Sequence, residues 1–255
     1  MGAHRSGYEN RTVMVDGMIN RRDFLRLVGG AASAGLLAAC DSEGERLKGH
    51  QEVDDASSRG RLRARPDPPS SDATVETGLR TLGLGSTRDG LLYVPAGYRA
   101  GKRAPLALTL HGAGGDARSG ISHFLPLADA AGVVLLAPES RGRTWDVLVG
   151  GYGPDVEFID RALKWAFDRL ALDTGRLAVT GFSDGASYSL SLGPTNGELF
   201  THLIAFSPGF MAPAARRGKP PVFVSHGTRD GVLPIERSSR RIVPRLEREG
   251  YEVRY

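Results

Sequence analysis

The chain has 255 residues, of which 40% are hydrophobic and 24% are charged. These fractions are ordinary for a globular protein, and the length allows one domain with a large core. The formal net charge is only +4, and no block of Lys and Arg is mixed with aromatic residues, so nucleic-acid binding is disfavoured. The single cysteine, Cys40, excludes an intramolecular disulfide and a cysteine-based metal site.

Residues 18–40 have the features of an export signal. The pair Arg21-Arg22 precedes an apolar run, Leu27–Ala39, which is too short to span a membrane comfortably. The pair resembles the bacterial twin-arginine signal, and the small residues before Cys40 resemble a lipobox. The resemblance implies export by the twin-arginine machinery, lipidation of Cys40 and attachment to the membrane on the extracytoplasmic side of a bacterial cell. The alternative is a buried helix with an unrelated cysteine.

The segments around this signal differ in composition from the rest of the chain. Met18 offers a natural start, so residues 1–17 are expected to be an upstream extension of the reading frame. Residues 41–75 are polar, charged and rich in proline near their end. Such a segment cannot bury enough apolar surface to offset its ordering entropy, and we expect a flexible tether. The folded domain is expected over residues 76–255.

Strands and helices alternate across that domain. Apolar, β-branched runs predict strands at 91–94, 105–110, 133–137, 176–180, 203–206, 221–225 and 251–255. Helical spacing predicts helices within 120–131, from Pro154 to Leu170, over 186–192 and within 235–248, the third ending at Gly193-Pro194. This alternation predicts an α/β fold with a doubly wound, mostly parallel sheet, whose chemistry collects at the carboxyl ends of the strands.

One motif follows the strand at 176–180. Residues 181–185 read Gly-Phe-Ser-Asp-Gly and match the pattern G-x-S-x-G. In a strand–turn–helix context, this pattern puts a nucleophilic serine, here Ser183, on a sharp turn. Glycines on both sides let the strand and the helix pack closely around the turn. The alternative is a serine that only caps the helix.

Two further segments follow strands, at residues 111–115 (His-Gly-Ala-Gly-Gly) and 226–234 (His-Gly-Thr-Arg-Asp-Gly-Val-Leu-Pro). In this order, the three segments resemble the α/β-hydrolase family over roughly residues 88–255. Within it, the resemblance is to single-domain esterases of the carboxylesterase, phospholipase and polyhydroxybutyrate-depolymerase type. The alternatives are a flexible glycine turn at 112–115 and an ordinary turn aspartate at position 230.

The resemblance implies a role for several residues. Ser183 is the nucleophile and Asp230 is the acid of a catalytic triad. The backbone N–H groups of Asp184 and Ala113 are the oxyanion donors. His111 and His226 are implied to be structural.

The triad histidine is missing from its expected position. In this fold it follows the acid, and residues 231–255 contain no histidine. We expect the chain to be a fragment or a truncated gene product that lacks the last strand, loop and helix, and to have impaired activity. His226 is the alternative base. His202 begins a predicted strand, and His123 is expected to be exposed.

The expected function is a serine hydrolase that cleaves small-molecule or polyester carboxylic esters through an acyl-enzyme. The alternatives are a non-catalytic, membrane-tethered protein of the same fold, and a peptidase or thioesterase. No nucleotide fingerprint or metal-ligand cluster implies a cofactor. The short segment 207–219 leaves no room for a lid. An open cleft is therefore expected, and four residues could line it or simply pack in the core: Trp145, Tyr152, Phe210 and Met211.

Overall fold

A computed structural model of the chain describes residues 56–66, 75–85 and 87–255. The predicted export signal, with Arg21-Arg22 and Cys40, lies outside these residues. In the part that is described, no helix combines the length and the apolar character needed to cross a membrane.

A single eight-stranded sheet runs through the domain in the order β1-β2-β4-β3-β5-β6-β7-β8. The strands are β1 (Gly78–Thr81), β2 (Gly90–Val94), β3 (Ala104–Leu110), β4 (Val134–Pro138), β5 (Leu172–Phe182), β6 (His202–Phe206), β7 (Val222–Ser225) and β8 (Val253–Arg254). β2 pairs antiparallel with β1 and β4, whereas the pairs from β4 through β8 are parallel. The predicted mostly parallel α/β sheet is therefore confirmed.

Helices cover both faces of the sheet. They are α1 (Ala117–Ser122), α2 (Leu125–Ala131), α3 (Pro154–Arg169), α4 (Asp184–Thr195) and α5 (Ser239–Arg248). Apolar residues of α3, α4 and α5 form one core cluster with one face of the strands, and α1 and α2 form a second cluster with the other face. β3 is buried along its whole length because it lies between these two layers.

Three local predictions differ from the structure. The helix expected within 120–131 is two helices, because Pro126 lacks an N–H and starts a new one after the break at 123–124. The short strand β1 was not predicted. α4 does not stop before Gly193-Pro194 but continues to Thr195. A Cβ on Gly193 would lie 2.4 Å from the side chain of Leu203, so this glycine allows α4 to pack on β6 and does not end the helix.

Residues 56–66, which we call the N-terminal strap, differ from the expected flexible tether. Leu62 is buried, with 1% exposure. Its N–H donates to Asn196 Oδ1 at 2.9 Å, and Asn196 Nδ2 donates to the carbonyl of Gly60 at 2.7 Å. The N–H of Ala64 donates to Asp160 Oδ1 at 2.8 Å. Side chains of α3 and the end of α4 thus satisfy the backbone of the strap, so the domain includes these residues.

Substituting Leu62 tests this docking. Leu62→Ala should lower the free energy of unfolding by about 2–4 kcal/mol, because it leaves a cavity where the strap meets the core. Leu79→Ala is the matched control, since Leu79 is 40% exposed on β1, and it should change the free energy by less than about 1 kcal/mol. Urea denaturation of both variants measures the difference. Equal, small effects would show that the strap is not docked in solution.

Candidate active site

The three motif segments meet at one edge of the sheet. The segment 111–115 follows β3, Ser183 follows β5, and Asp230 lies in the loop after β7. β3 and β5 are neighbours, and β6 lies between β5 and β7. Because adjacent strands are about 5 Å apart, the ends of β5 and β7 are separated by about 10 Å. Ser183 and the loop that carries Asp230 therefore lie two strand spacings apart on the same edge of the sheet.

Ser183 lies on a sharp turn between β5 and α4. Its φ is 55° and its ψ is −117°, a left-handed conformation that costs energy for a residue with a side chain. A Cβ on Gly181 would lie 2.3 Å from the carbonyl carbon of Gly185, and a Cβ on Gly185 would lie 2.1 Å from the carbonyl oxygen of Leu110. Both positions therefore require glycine. The N–H of Ser183 donates to the carbonyl of Phe206 at 2.9 Å, which ties the turn to β6.

The glycine loop 112–115 lies against this turn. A Cβ on Gly112 would lie 3.6 Å from the Cβ of Ser183. Ala113 is exposed. Within residues 56–66, 75–85 and 87–255, neither the N–H of Ala113 nor that of Asp184 donates to a protein acceptor. The loop that carries Ala113 thus lies against the Ser183 turn, and in the described residues neither of the two predicted donors is used by another protein group.

His111 holds the start of the glycine loop. Its Nε2 accepts from the N–H of Ser140 at 3.0 Å, so Nδ1 carries the proton and donates to the carbonyl of Gly112 at 2.8 Å. Burial lowers the pKa of His111, so the imidazole is neutral. Its carbonyl accepts from Trp145 Nε1 at 2.9 Å. Both ring nitrogens are thus used to fix the backbone.

Asp230 is held as a carboxylate. Burial opposes ionisation of this side chain. That effect is outweighed by hydrogen bonds from the backbone N–H groups of Leu233 and Val232, and by the nearby His226 and the Ser207 hydroxyl. These contacts lower the pKa of Asp230 below its ordinary value. The two N–H groups donate to Asp230 Oδ1 over 2.9 Å each. An ionised acid of this kind can orient and stabilise an imidazolium.

His226 has no nitrogen available for Ser183. Its Nε2 donates to the carbonyl of Leu233 at 2.7 Å and lies 3.4 Å from Asp230 Oδ2. A carbonyl only accepts, so Nε2 carries the proton, and Nδ1 is bonded to Ser239 Oγ at 2.6 Å. The imidazole therefore braces the loop that carries Asp230, and this geometry argues against His226 as the base.

The other two histidines of the described ranges are His123 and His202. His123 is half-buried at the end of α1 and not exposed as expected, with its ring 6.0 Å from that of Phe182. His202 begins β6, at the opposite end of the strand from the Ser183 edge, and contacts Thr201 Oγ1. In the part of the chain that the structure describes, no histidine combines a carboxylate partner with a free ring nitrogen.

The residues considered for the cleft lining divide into two groups. Trp145 and Met211 are buried in the core, so they do not line a cleft. Phe210 is exposed, and Tyr152 is half-buried with its hydroxyl donating to the carbonyl of Ala212 at 3.0 Å. Phe182, beside the nucleophile, is also exposed. Over the described ranges, no group of three or more His, Cys, Asp or Glu side chains could hold a metal ion.

Sequence reasoning missed Ser207, which follows β6. It is buried, has a φ of 51°, and its N–H donates to the carbonyl of Ser225 at 2.7 Å. Its hydroxyl contributes to the lowered pKa of Asp230. The one feature of the sequence that could have indicated Ser207 was its position after β6, the strand next to the one that precedes Ser183.

Sequence reasoning also missed a pair of acidic side chains behind the site. The N–H of Asp146 donates to Asp155 Oδ2 at 2.6 Å, and the N–H of Asp155 donates to Asp146 Oδ2 at 3.0 Å. Tyr188, which is buried, donates to Asp146 Oδ1 at 2.9 Å. Burial raises the pKa of Asp155 to about 6 and also raises that of Asp146. This acidic pair fixes residues 146–155 to α3 and α4.

Comparisons with known proteins agree with this architecture. No family model matches the chain. It is 29% identical over 157 residues to "Probable feruloyl esterase C" of Aspergillus flavus, covering 58% of this chain and 57% of that protein. It is 30% identical over 112 residues to feruloyl esterase D of Neurospora crassa, covering 43% and 37%. The crystal structure of esterase PE8 has 25% identity and a TM-score of 0.52, covering 64% of this chain and 85% of that one.

These findings confirm the resemblance that the motifs indicated. The chain is an α/β-hydrolase by fold, and its relatives in sequence are esterases. It spans 57% of the length of the Aspergillus relative and 37% of the Neurospora one.

The acidic pair predicts a pH dependence of stability. The pKa of Asp155 is raised to about 6 in the folded state, against about 3.9 in an unfolded chain. The folded state therefore binds the proton more tightly. Protonation of Asp155 therefore stabilises the fold. This contribution is complete below about pH 4, is lost as the pH rises through about 6, and amounts to about 3 kcal/mol at most.

Urea denaturation of the native chain and Asp155→Asn across this pH range measures the effect. The Asn side chain does not titrate, so the advantage of the native chain over the variant should shrink as the pH rises. Carboxylates with lowered pKa values, such as Asp230, are common to both proteins and cancel. A difference that grows with pH would mean that folding stabilises the ionised form of Asp155, and a constant difference would mean that folding does not shift its pKa. Either result would contradict the prediction.

Proposed function

We propose that the chain is a carboxylic ester hydrolase that acts through an acyl-enzyme on Ser183. The observation that carries this proposal is the strained turn at Ser183, with two unpaired N–H groups beside it. In the mechanism, a base takes the proton of the Ser183 hydroxyl as Oγ attacks the ester carbonyl, and the N–H groups of Ala113 and Asp184 bind the oxyanion. The base passes that proton to the leaving alkoxide, and water, deprotonated in the same way, then hydrolyses the acyl-enzyme and regenerates Ser183.

A fast reaction also needs an imidazole between Ser183 and Asp230. The ionised Asp230 is ready to orient it, but no histidine of the described ranges fills this position. An unassisted serine hydroxyl is a poor nucleophile at neutral pH. Removing the histidine of a working triad costs about a millionfold in kcat. We therefore propose that the 255-residue chain is impaired as an esterase when it acts alone.

Ester hydrolysis is preferred over peptide or thioester hydrolysis because the relatives in sequence are named as esterases. The oxyanion and acyl-enzyme chemistry is shared by all three reactions, so the residues alone do not separate them. Two of those names are feruloyl esterase, which makes feruloyl esters the first substrates to test. The experiment below also tests the alternative that the chain is not catalytic.

Chemical rescue tests the proposal directly. Imidazole in the buffer should speed both ester hydrolysis and fluorophosphonate labelling, because it supplies the missing base next to Asp230. Mass spectrometry should place the phosphonyl adduct on Ser183. The rescue should be absent in Ser183→Ala, which also corrects for direct hydrolysis by imidazole.

His226 provides the discriminating control. His226→Gln removes a brace of the Asp230 loop and should slow the rescued reaction. Imidazole should still accelerate the variant, because neither ring nitrogen of His226 is free to act on Ser183. Strong hydrolysis without imidazole that disappears in His226→Gln would move the base to His226. Labelling that persists in Ser183→Ala, or no labelling under any condition, would favour a non-catalytic protein.

We also propose that the chain is exported and anchored through a lipid on Cys40. The support is the order of Arg21-Arg22, a short apolar run and a small-small-Cys end. In a bacterial host with a twin-arginine pathway, changing both arginines to lysine should retain the protein in the cytoplasm. Cys40→Ala should move the exported protein from the membrane fraction to the soluble one. Unchanged fractionation in both variants would refute the anchor.

A further inference from the structure

Three consecutive residues, 143–145, each bind a different part of the oxyanion site. The carbonyl of Arg143 accepts from the N–H of Gly114 at 2.7 Å. Thr144 Oγ1 donates to Asp184 Oδ2 at 2.5 Å. Trp145 Nε1 donates to the carbonyl of His111 at 2.9 Å. We call this segment the 143–145 strut.

The strut joins two loops that carry the candidate oxyanion donors. Ala113 precedes Gly114, and the N–H of Asp184 is the donor on the nucleophile turn. The donors come from loops after different strands, β3 and β5, so their separation is not set by local backbone geometry. Arg143 and Thr144 are adjacent, so one peptide unit links the anchor of the first donor to that of the second. Oxyanion stabilisation depends on such preorganised positions.

The strut is itself fixed from behind. Trp145 is buried, and its ring stacks on Tyr188 at 5.0 Å and lies 4.7 Å from the His111 ring. The next residue, Asp146, belongs to the acidic pair and is bonded to Asp155 and Tyr188. Because Trp145 and Asp146 are held by these contacts, the adjacent residues Arg143 and Thr144 are also held in place.

We propose that Thr144 is a positioning residue for oxyanion binding, which rests on the proposed function above. Its hydroxyl locks Asp184 to the strut and thereby holds the two donors at a fixed distance. Thr144 and Asp184 are only half-buried, and one such hydrogen bond contributes about 1 kcal/mol to stability. Thr144→Val should therefore fold, which separates a positioning role from a stabilising one.

The first measurement is the rate of fluorophosphonate labelling of Ser183 in the full chain with imidazole present. Thr144→Val should slow labelling about tenfold, less than the hundredfold or greater loss that follows removal of a whole donor. Thr144→Ser keeps the hydroxyl and should restore most of the rate. Thr174→Val, at an exposed position on β5, is the matched control and should label at the native rate.

A double-mutant cycle tests whether the effect passes through the hydrogen bond. Asp184→Ala keeps the backbone donor but removes the acceptor of the Thr144 hydroxyl. Thr144→Val and Asp184→Ala should each slow labelling, and the double variant should be no slower than either one. Additive losses would mean that Thr144 acts on the reaction by another route, and the proposal would be overturned.

The second measurement does not depend on catalysis. Hydrogen exchange followed by mass spectrometry should show faster exchange in peptides covering 112–116 and 183–188 for Thr144→Val, with native exchange in α3. Native exchange in both segments would overturn the strut, whatever the labelling shows. If the native chain is never labelled on Ser183, the proposed function fails, and the exchange data alone decide whether the strut couples the two loops.

Discussion

The site depends on the absence of two side chains, at Gly181 and Gly185. The backbone of β5, the start of α4 and the carbonyl of Leu110 at the end of β3 approach so closely that neither position has room for a Cβ. This contact holds Ser183 in a conformation that a residue with a side chain rarely adopts. It also brings the loop after β3 against the turn. The packing of two strands and one helix thus determines where the candidate nucleophile and the candidate oxyanion donors lie.

Around that contact, the polar groups are arranged for distinct tasks. Asp230 accepts backbone hydrogen bonds that keep it ionised, whereas Asp155 is buried so that its pKa is raised. The family resemblance implied structural roles for His111 and His226, and the ring nitrogens of both are used to brace loops. The site therefore brings together a candidate nucleophile, a candidate acid and two unpaired N–H groups, and the proposed esterase activity depends on an imidazole that the described residues do not supply.

Local patterns in the sequence predicted the features of the fold that depend on neighbouring residues. The motif around Ser183 predicted the turn, and the alternation of strands and helices predicted the mostly parallel sheet. The errors came from tertiary contacts. Gly193-Pro194 looked like the end of a helix, but Gly193 is needed for close packing on Leu203. Residues 56–66 looked like a tether because the side chains that satisfy their backbone, Asp160 and Asn196, lie about a hundred residues or more away in sequence.

The role of Trp145 shows the same limit. From the sequence, Trp145 is compatible with a cleft or with a core, and only the fold shows that it stacks on Tyr188 and supports His111. No pattern in the sequence indicated Thr144, because its hydrogen bond to Asp184 forms only when the fold brings the two loops into contact.

Close packing at the turn is proposed to make Ser183 reactive, and substituting Gly185 removes that packing. Gly185→Ala should lower the free energy of unfolding by about 3 kcal/mol or more and abolish imidazole-rescued labelling of Ser183, because the new methyl group overlaps the Leu110 carbonyl. Gly101→Ala, where a Cβ meets no atom within 4 Å, should leave both quantities near the native values. A Gly185→Ala protein with native stability and native labelling would show that this packing does not determine the reactivity of Ser183.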